Sequence, residues 1–219
     1  MNLSWLDERI WFPDPKRATS EGFVAVGGDL SVDRLLLAYR SGIFPWTDDP
    51  ITWWSPDPRG IFELDQFHIS RSLAHTLKRG VFQVTFDQAF EQVIRACSEV
   101  PRHDQSTWIS PYFIESYVAL HRAGWGHSVE VWQDGLLVGG LYGVGIGGFF
   151  AGESMFHKAS NASKVAVAHL VARMQERGMT LFDTQMITPA TAQLGAVEIS
   201  RSEYVKRVQA AVAIDTRLV

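Results

Sequence analysis

Glu153 lies in an apolar run, GGFFAGESMF at residues 147–156, that otherwise has the composition of a buried strand. No residue beside it in this run carries a positive charge. Burying an unpaired carboxylate costs free energy, so Glu153 either meets a cation or faces a cleft. The sequence by itself leaves open whether that cation belongs to the protein or to a substrate.

A second polar pair, Asp183 and Gln185, lies in TLFDTQM at residues 180–186, a run with the pattern of a strand. Residues two apart in a strand point to the same face, so the Asp183 carboxylate can orient the Gln185 amide. Such a pair can move a proton and hold a reacting group. The alternative is an ordinary polar pair at the end of a strand.

Metal chemistry has little support in this sequence. The seven histidines are scattered, and neither an HExxH nor a CxxC spacing occurs, so we predict no metal site. Cys97, the single cysteine, cannot form an intrachain disulfide, which favours a reducing compartment. The sequence also has no secretory signal pattern and no long apolar segment. We therefore predict a cytoplasmic protein that does not associate with membranes.

The first 60 residues are divided by turn-forming motifs: FPDP, VGGDLS, SGIFPW and WWSPDPRG. One helix is predicted at residues 31–39, where Ser31 can cap it and three leucines supply apolar contacts. We predict a small turn-rich N-terminal domain at residues 1–60 and a larger domain at residues 61–219, with a boundary at 59–64. The 219 residues are 46% hydrophobic and 20% charged, as in ordinary globular proteins.

The larger domain has a regular order of predicted elements. Helices are predicted in SRSLAHTLKRG (70–80), QAFEQVIRACSEV (88–100), SPYFIESYVALHRAG (110–124) and NASKVAVAHLVARMQERG (161–178). Strands are predicted in FQVTFD (82–87), HSVEVW (127–132), LLVGGLYG (136–143), FFAGESMF (149–156) and TLFDTQM (180–186), with LGAVEI (194–199) beginning the last element. This order is that of the acetyltransferase-like (GNAT-type) fold, an α+β fold with a mixed sheet, in which acyl groups are transferred where two strands splay.

The segment that opens the predicted long helix, FHKASNASK, contains no glycine. Acetyltransferases of this fold usually hold the pyrophosphate of coenzyme A on a glycine-rich loop at that place, using backbone N–H groups. Close approach of the backbone to a pyrophosphate is disfavoured here. The sequence therefore favours an acyl donor other than coenzyme A, although Lys158 or Lys164 can still meet a phosphate.

Aromatic and basic residues suggest a nucleic-acid partner. Several of the eight tryptophans lie in predicted turns, where their faces could stack on nucleobases, although packing is the commoner role. Basic side chains occur at Arg59 and on the predicted helix 70–80, where Arg71, Lys78 and Arg79 can share one face. That face could meet a phosphate backbone, or it could be an ordinary solvated surface. The net charge of −4 argues against wholesale wrapping of nucleic acid.

Ten motifs in order between residues 27 and 196 closely resemble the bacterial leucyl/phenylalanyl-tRNA–protein transferases. They are GGDLS, AYRSGIFPW, WWSPDPR, TWI, HSVEVW, LVGGLYG, FAGESMF, NASK, DTQ and LGA. The resemblance implies an enzyme that moves leucine or phenylalanine, and less readily methionine, from its tRNA to the N-terminal Arg or Lys of a protein. It also implies no cofactor and a product whose N-terminus marks it for degradation, and we predict a monomer.

The resemblance assigns roles to residues of the presumed cleft. Gln185 touches the attacking amine and Asp183 relays charge; since an amide is a very poor base, we expect Asp183 to take up the proton. Glu153 faces the cleft and binds the substrate's ammonium or the acceptor's basic side chain. Residues expected to line an apolar pocket for the aminoacyl side chain are Leu141, Met155, Leu170, Met174 and Phe182. Tyr39, Trp46 and Trp108 are expected to contact the 3′-terminal adenosine. Phe150 is expected to line the cleft, and Thr188 to contact the acceptor.

This chain departs from the family after DTQMIT, where Ala190 and Thr191 replace the usual His-Leu. MFHK also replaces the more usual Met-Phe-Ser. Two other functions remain open at this point: a coenzyme A-dependent N-acetyltransferase, and a non-catalytic RNA-binding module. An enzyme of the same family that recognises acidic N-termini is disfavoured, because Glu153 would repel them.

Overall fold

Two β-sheets organise residues 4–100 and 107–219, the part of the chain that this computed structural model describes. The smaller, N-terminal sheet contains β1 (Trp5–Leu6), β2 (Phe23–Gly27), β3 (Phe44–Asp48) and β4 (Ile51–Trp54) in the spatial order β1-β2-β4-β3. Helix α1 (Val32–Arg40) begins after Ser31, whose hydroxyl accepts a hydrogen bond from the Arg34 amide. The predicted helix and its cap are thereby confirmed.

The larger sheet is mixed and has seven strands in the order β11-β5-β10-β9-β8-β7-β6. Its strands are β5 (Arg59–Phe62), β6 (Gln83–Phe86), β7 (Gly126–Gln133), β8 (Leu136–Ile146), β9 (Phe149–His157), β10 (Leu181–Gln185) and β11 (Val197–Ile199). β9 and β10 run parallel, and the other neighbours are antiparallel. The predicted α+β class, with a small N-terminal unit and a mixed sheet, is confirmed.

Helices cover both faces of this sheet: α2 (Arg71–Arg79), α3 (Phe90–Ser98), α4 (Pro111–Arg122), α5 (Ala162–Glu176), α6 (Pro189–Ala192) and α7 (Arg201–Val212). Leu141 and Tyr142 are adjacent on β8 and point to opposite faces. Tyr142 packs with residues of α3 and α4, whereas Leu141 packs with residues of α5. No helix in the described residues is long and apolar enough to cross a membrane.

β5 was not predicted from the sequence, and it crosses the predicted domain boundary at residue 60. The strand pairs with β10 on one side and β11 on the other, so the segment after the N-terminal sheet enters the larger sheet directly. The boundary between the two domains stays a prediction.

An opening between two strands positions the site. β10 pairs with β9 only through Leu181, Phe182 and Asp183. Beyond this point β9 continues alongside β8, while β10 remains paired with β5 and its register shifts between Asp183 and Gln185. The strands therefore separate after Asp183, and side chains from their diverging ends face a common space.

Candidate active site

A cavity of about 230 Å³ occupies the opening between β9 and β10. Its polar wall contains Glu153, Ser154, Thr184, Gln185, Thr188 and Thr191. Its apolar wall contains Phe62, Trp108, Leu141, Met155, Val167 and Phe182, with Met186 and the backbone of Gly152 completing the lining. A carboxylate and an amide therefore share one cavity with a large apolar surface.

The Glu153 carboxylate faces this cavity and is held by neutral donors. The Gln185 Nε2 donates to Oε1 at 3.2 Å, and the Tyr117 hydroxyl donates to Oε2 at 3.3 Å. The Tyr117 hydroxyl is in turn hydrogen-bonded to the hydroxyl of Tyr39. The ion pairs formed by the described residues do not include Glu153. Of the two alternatives that the sequence left open, the cleft is the one observed.

Burial raises the pKa of Glu153 to about 7. That value already includes a smaller rise from the negative charge of Asp183 and the opposing effects of the Tyr39 and Tyr117 hydroxyls and the charge of Arg59. Glu153 can therefore change its protonation state close to neutral pH.

Asp183 lies beneath the cavity and is fully buried. Its Oδ1 accepts hydrogen bonds from Arg59 Nε at 2.8 Å and from the Gln185 backbone amide at 2.9 Å. Its Oδ2 accepts from Arg59 Nη2 and from the Tyr204 hydroxyl, both at 2.7 Å. Because a carboxylate has about four lone-pair positions, all of them are occupied by the protein. The expectation that Asp183 takes up the substrate's proton is therefore wrong for this geometry.

Arg59 was predicted to contact the tRNA backbone, and that prediction is also wrong. The side chain is fully buried in a bidentate ion pair with Asp183, and its guanidinium lies 4.8 Å from the centre of the Phe44 ring and 4.3 Å from that of Tyr204. A charge enclosed in this way meets no phosphate at the surface. The position of Arg59 on the unpredicted strand β5 explains why the sequence did not reveal its partner.

Gln185 has a left-handed backbone, with φ of 57°, which is uncommon for a residue other than glycine. This conformation forms the bulge that ends the pairing of β10, and the Asp183 carboxylate holds the bulge through the Gln185 amide nitrogen. The Gln185 side chain reaches Glu153. Asp183 thus fixes the backbone of Gln185, whereas the sequence had suggested that it would orient the side-chain amide.

The apolar wall agrees in part with the expected pocket. Leu141, Met155 and Phe182 line the cavity, but Leu170 and Met174 are fully buried in the core and do not. Val167 and Phe62 line it and were not predicted. Val167 belongs to the same apolar face of α5 as Leu170 and Met174, so the helical spacing contained the signal for it. Phe62 lies on β5, which shows no strand pattern in the sequence.

The other expected contacts divide in a similar way. Trp108 and Thr188 line the cavity. Tyr39 is almost fully buried behind Glu153, and Phe150 is fully buried with its ring centre 5.7 Å from that of Phe182. Contrary to the expectation, neither side chain lines the cavity. Trp46 is partly exposed and packs edge-on against Trp54, with 5.3 Å between ring centres, and it is not among the residues that line the cavity.

Arg71, Lys78 and Arg79 are exposed on α2, so their proposed contact with tRNA stays a prediction. Among the described residues, no group of three or more His, Cys, Asp or Glu side chains could hold a metal ion.

Comparison with known proteins identifies the family. The model of the leucyl/phenylalanyl-tRNA protein transferase family matches residues 61–209, and that of its N-terminal domain matches residues 28–57. The leucyl/phenylalanyl-tRNA–protein transferase of Syntrophotalea carbinolica is 50% identical over 212 residues, covering 95% of this chain and 92% of that protein. That of Pseudoalteromonas atlantica is 47% identical over 216 residues, covering 97% and 92%.

Solved structures give a more distant likeness. L-PGS from Bacillus licheniformis is 11% identical with a TM-score of 0.47, covering 78% of this chain and 66% of that one. A GCN5-related N-acetyltransferase from Kribbella flavida is 12% identical with a TM-score of 0.43, covering 75% and 60%. The family match, which spans nearly the whole chain, confirms the family predicted from the sequence motifs. The chain therefore belongs to the leucyl/phenylalanyl-tRNA–protein transferase family and is an aminoacyl-tRNA–protein transferase.

Proposed function

We propose that this enzyme transfers leucine or phenylalanine, and less readily methionine, to the N-terminal Arg or Lys of proteins. The observation that carries the proposal is the cavity, in which an apolar wall faces the paired side chains of Glu153 and Gln185. The product would carry a destabilising N-terminus and would be degraded. No cofactor is required, and we propose that the reaction takes place in the cytoplasm with the enzyme as a monomer.

The chemistry is aminolysis of an ester, and it needs no further activation. The aminoacyl ester on the tRNA is already reactive, and an α-amine with a pKa of about 7.7–8.0 is partly uncharged at neutral pH. Holding the two reactants in line can supply about 7–11 kcal/mol of the barrier in favourable cases. The main requirements are therefore two adjacent binding sites and a means of handling one proton.

The apolar wall suits the donor's side chain. Leu141, Met155 and Phe182 form a surface that accepts Leu, Phe and Met, because a methylene of misfit costs only about 1–3 kcal/mol. Trp108, on the same lining, presents an indole on which the terminal adenine can stack, a contact worth about 1–3 kcal/mol. Thr188 is proposed to contact the acceptor.

The polar wall suits a cationic acceptor. The Glu153 carboxylate attracts the α-ammonium or the basic side chain of an N-terminal Arg or Lys, and it repels an acidic N-terminus. The Gln185 amide contacts the attacking amine. Asp183 and Arg59 hold the bulge that carries Gln185, so we propose that they position the site without touching the substrate.

The test uses the purified protein with radiolabelled Leu-tRNA or Phe-tRNA and three peptides that differ only in an N-terminal Arg, Ala or Asp. We expect label on the Arg peptide alone, without added ATP or coenzyme A. Label on the Asp peptide would contradict the proposed acceptor. Absence of transfer to any peptide, with intact aminoacyl-tRNA and a folded protein, would remove the proposal, and turnover of acetyl-CoA would then favour an acetyltransferase.

A further inference from the structure

The transfer releases one proton that the site must receive. The acceptor's α-ammonium nitrogen carries three protons, and its nitrogen forms a bond to the carbonyl carbon while the bond from that carbon to the ribose oxygen breaks. The amide product keeps one of the three protons, and the departing ribose oxygen takes another. The third passes to a base in the cavity, and then to solvent, when the amine binds as the ammonium, which is the predominant form at neutral pH because its pKa is about 7.7–8.0.

Two polar groups near the cavity cannot receive this proton. Asp183 is fully buried, and its lone-pair positions are filled by Arg59, Tyr204 and the Gln185 backbone. The amide of Gln185 is a very poor base. Glu153 is the carboxylate that lines the cavity in the described part of the chain.

We propose that Glu153 is the general base that takes this proton, and that Tyr117 and Tyr39 are positioning residues that hold its carboxylate. This inference rests on the proposed function. It assigns a catalytic role to a residue that the sequence had suggested only for binding.

The contacts of Glu153 leave room for a proton. Gln185 and Tyr117 donate to its two oxygens, and the Tyr39 hydroxyl lies behind them, hydrogen-bonded to Tyr117. These two donors cannot fill the roughly four lone-pair positions of a carboxylate, even if the Tyr39 hydroxyl is counted as a third, whereas the positions of Asp183 are filled. The exposed side of Glu153 faces the cavity that would hold the acceptor's amine.

The surroundings of Glu153 also give its carboxyl a pKa suited to general base catalysis. Burial raises its pKa to about 7, and a base works best when its pKa is near the operating pH. The charged or titratable groups that face it are Tyr39 from α1, Tyr117 from α4, Arg59 from β5 and Asp183 from β10. Burial also raises the pKa of both tyrosines well above the usual value, so they stay protonated and remain donors.

The first test compares the wild type with Glu153→Gln at saturating acceptor peptide across pH 5 to 9. We expect kcat to fall by about 100-fold or more, since general base catalysis typically contributes 10²–10⁴-fold. The wild-type rate should decline below about pH 7 as Glu153 becomes protonated, whereas the residual rate of the variant should follow the acceptor amine's own pKa of about 7.7–8.0. A variant with a raised KM for the peptide but an unchanged kcat would overturn the inference, because Glu153 would then only bind.

Tyr117→Phe tests the positioning role. The hydroxyl of Tyr117 favours the charged form of Glu153, so its removal should move the acidic limb of the kcat profile to higher pH. Tyr112→Phe is a matched control, because Tyr112 lies on the same helix, is exposed and contacts the Leu30 amide instead. An acidic limb at the same pH in Tyr117→Phe and the wild type would overturn the positioning role.

Urea unfolding provides a readout that is independent of activity. A carboxyl whose pKa is raised on folding binds its proton more tightly in the folded state, so it lowers stability as the pH rises from about 4.5 through 7. Glutamine does not titrate, so Glu153→Gln removes this loss of stability with rising pH. The stability of the variant relative to the wild type should therefore increase between pH 5 and pH 8, and a difference independent of pH would overturn the inference.

The two proposals can fail separately. A wild type that labels the Arg peptide, together with a Glu153→Gln variant that keeps its kcat, would overturn only the role of Glu153. A wild type that transfers to none of the peptides would overturn both.

Discussion

At the scale of single residues, the site depends on a buried charge pair that does not line the cavity. Arg59 and Asp183 are both fully buried, and the pair joins β5 to β10 and, through Tyr204, to α7. Replacing a buried ion pair by apolar residues is often neutral for stability. The Arg59–Asp183 pair has a geometric role here, because the Asp183 carboxylate accepts a hydrogen bond from the backbone amide of Gln185 and so holds that residue in its left-handed conformation.

Asp183→Asn should destabilise the protein by about 3–5 kcal/mol, because it leaves the Arg59 guanidinium buried without a counter-charge. Urea unfolding at neutral pH measures this. Glu63→Gln is the control, since it breaks an ion pair with Arg207 whose side chains are about a quarter exposed, and it should cost only about 1 kcal/mol or less. Equal losses in the two variants would contradict the importance of the buried pair.

At the scale of elements, a glycine on β5 makes room for the bulge of β10. A Cβ added at Gly60 would lie 2.9 Å from the Met186 carbonyl carbon and 3.1 Å from the Ile187 nitrogen, both backbone atoms. The bulge also contains a short hydrogen bond, 2.6 Å, from the Met186 amide to the Thr184 carbonyl. Gly60 therefore lets two strands approach where the chain of β10 turns towards the cavity.

Gly60→Ala should reduce the rate of transfer by at least about 10-fold, because the bulge must move and Gln185 moves with it; small shifts of this kind can cost about 100-fold. It should also destabilise the fold by about 1–3 kcal/mol. Single-turnover transfer and urea unfolding measure the two effects.

Gly135→Ala is the matched control for this substitution. Gly135 has a φ of 77° in the turn between β7 and β8, with open space around it. Alanine there should cost about 1–2 kcal/mol through its left-handed backbone while leaving the rate unchanged. A Gly60→Ala protein that is destabilised like the control but fully active would contradict the role of the bulge.

Elements marked by local signals could be predicted from the sequence. Gly80 ends α2 with a φ of 61°, and Ser31 caps α1, as expected from their residue types. β5 could not be predicted, because its four residues are buried on both faces and show no alternation. The assumption of strict alternation also failed at the bulge, where the left-handed Gln185 ends the regular pairing of β10.

The residues that line the cavity could be predicted only in part, because the sequence pattern identifies a buried face but not the opening that it borders. Helical spacing identified the apolar face of α5, but not which of its residues reaches the opening between β9 and β10. Val167 lines the cavity while Leu170 and Met174 point into the core. Likewise, the burial of Arg59 and Asp183 depends on a pairing between residues 124 positions apart in the sequence.

At the scale of the whole molecule, the N-terminal part is built into the site. One cluster of buried apolar side chains contains Tyr39 and Trp53 from the N-terminal region together with Phe113 and Tyr117 from α4. The same Tyr39 contacts Tyr117, which holds Glu153. The N-terminal part, through α1, thus supports the cavity from behind, and its removal would expose a continuous apolar core.

Binding of tRNA by a chain with a net charge of −4 requires a local basic surface. We define the α2 basic face as Arg71, Lys78 and Arg79, which are all exposed. The triple substitution of these residues by alanine should weaken tRNA binding and lower the slope of log Kd against log salt by about 2–3, since each lost phosphate contact removes about 1. Titrations at several salt concentrations measure both quantities.

A shortened donor separates this surface from the cavity. Transfer from an aminoacyl-adenosine, which has no tRNA body, should be unaffected by the triple substitution, because such a donor contacts only the cavity between β9 and β10. Arg95→Ala is the control for a lost surface charge, since Arg95 is exposed on α3 and already paired with Glu91; it should leave the salt slope nearly unchanged. An unchanged slope in the triple variant would mean that the tRNA body lies elsewhere, whereas equal losses with the long and the short donor would mean that the substitutions disturb the cavity itself.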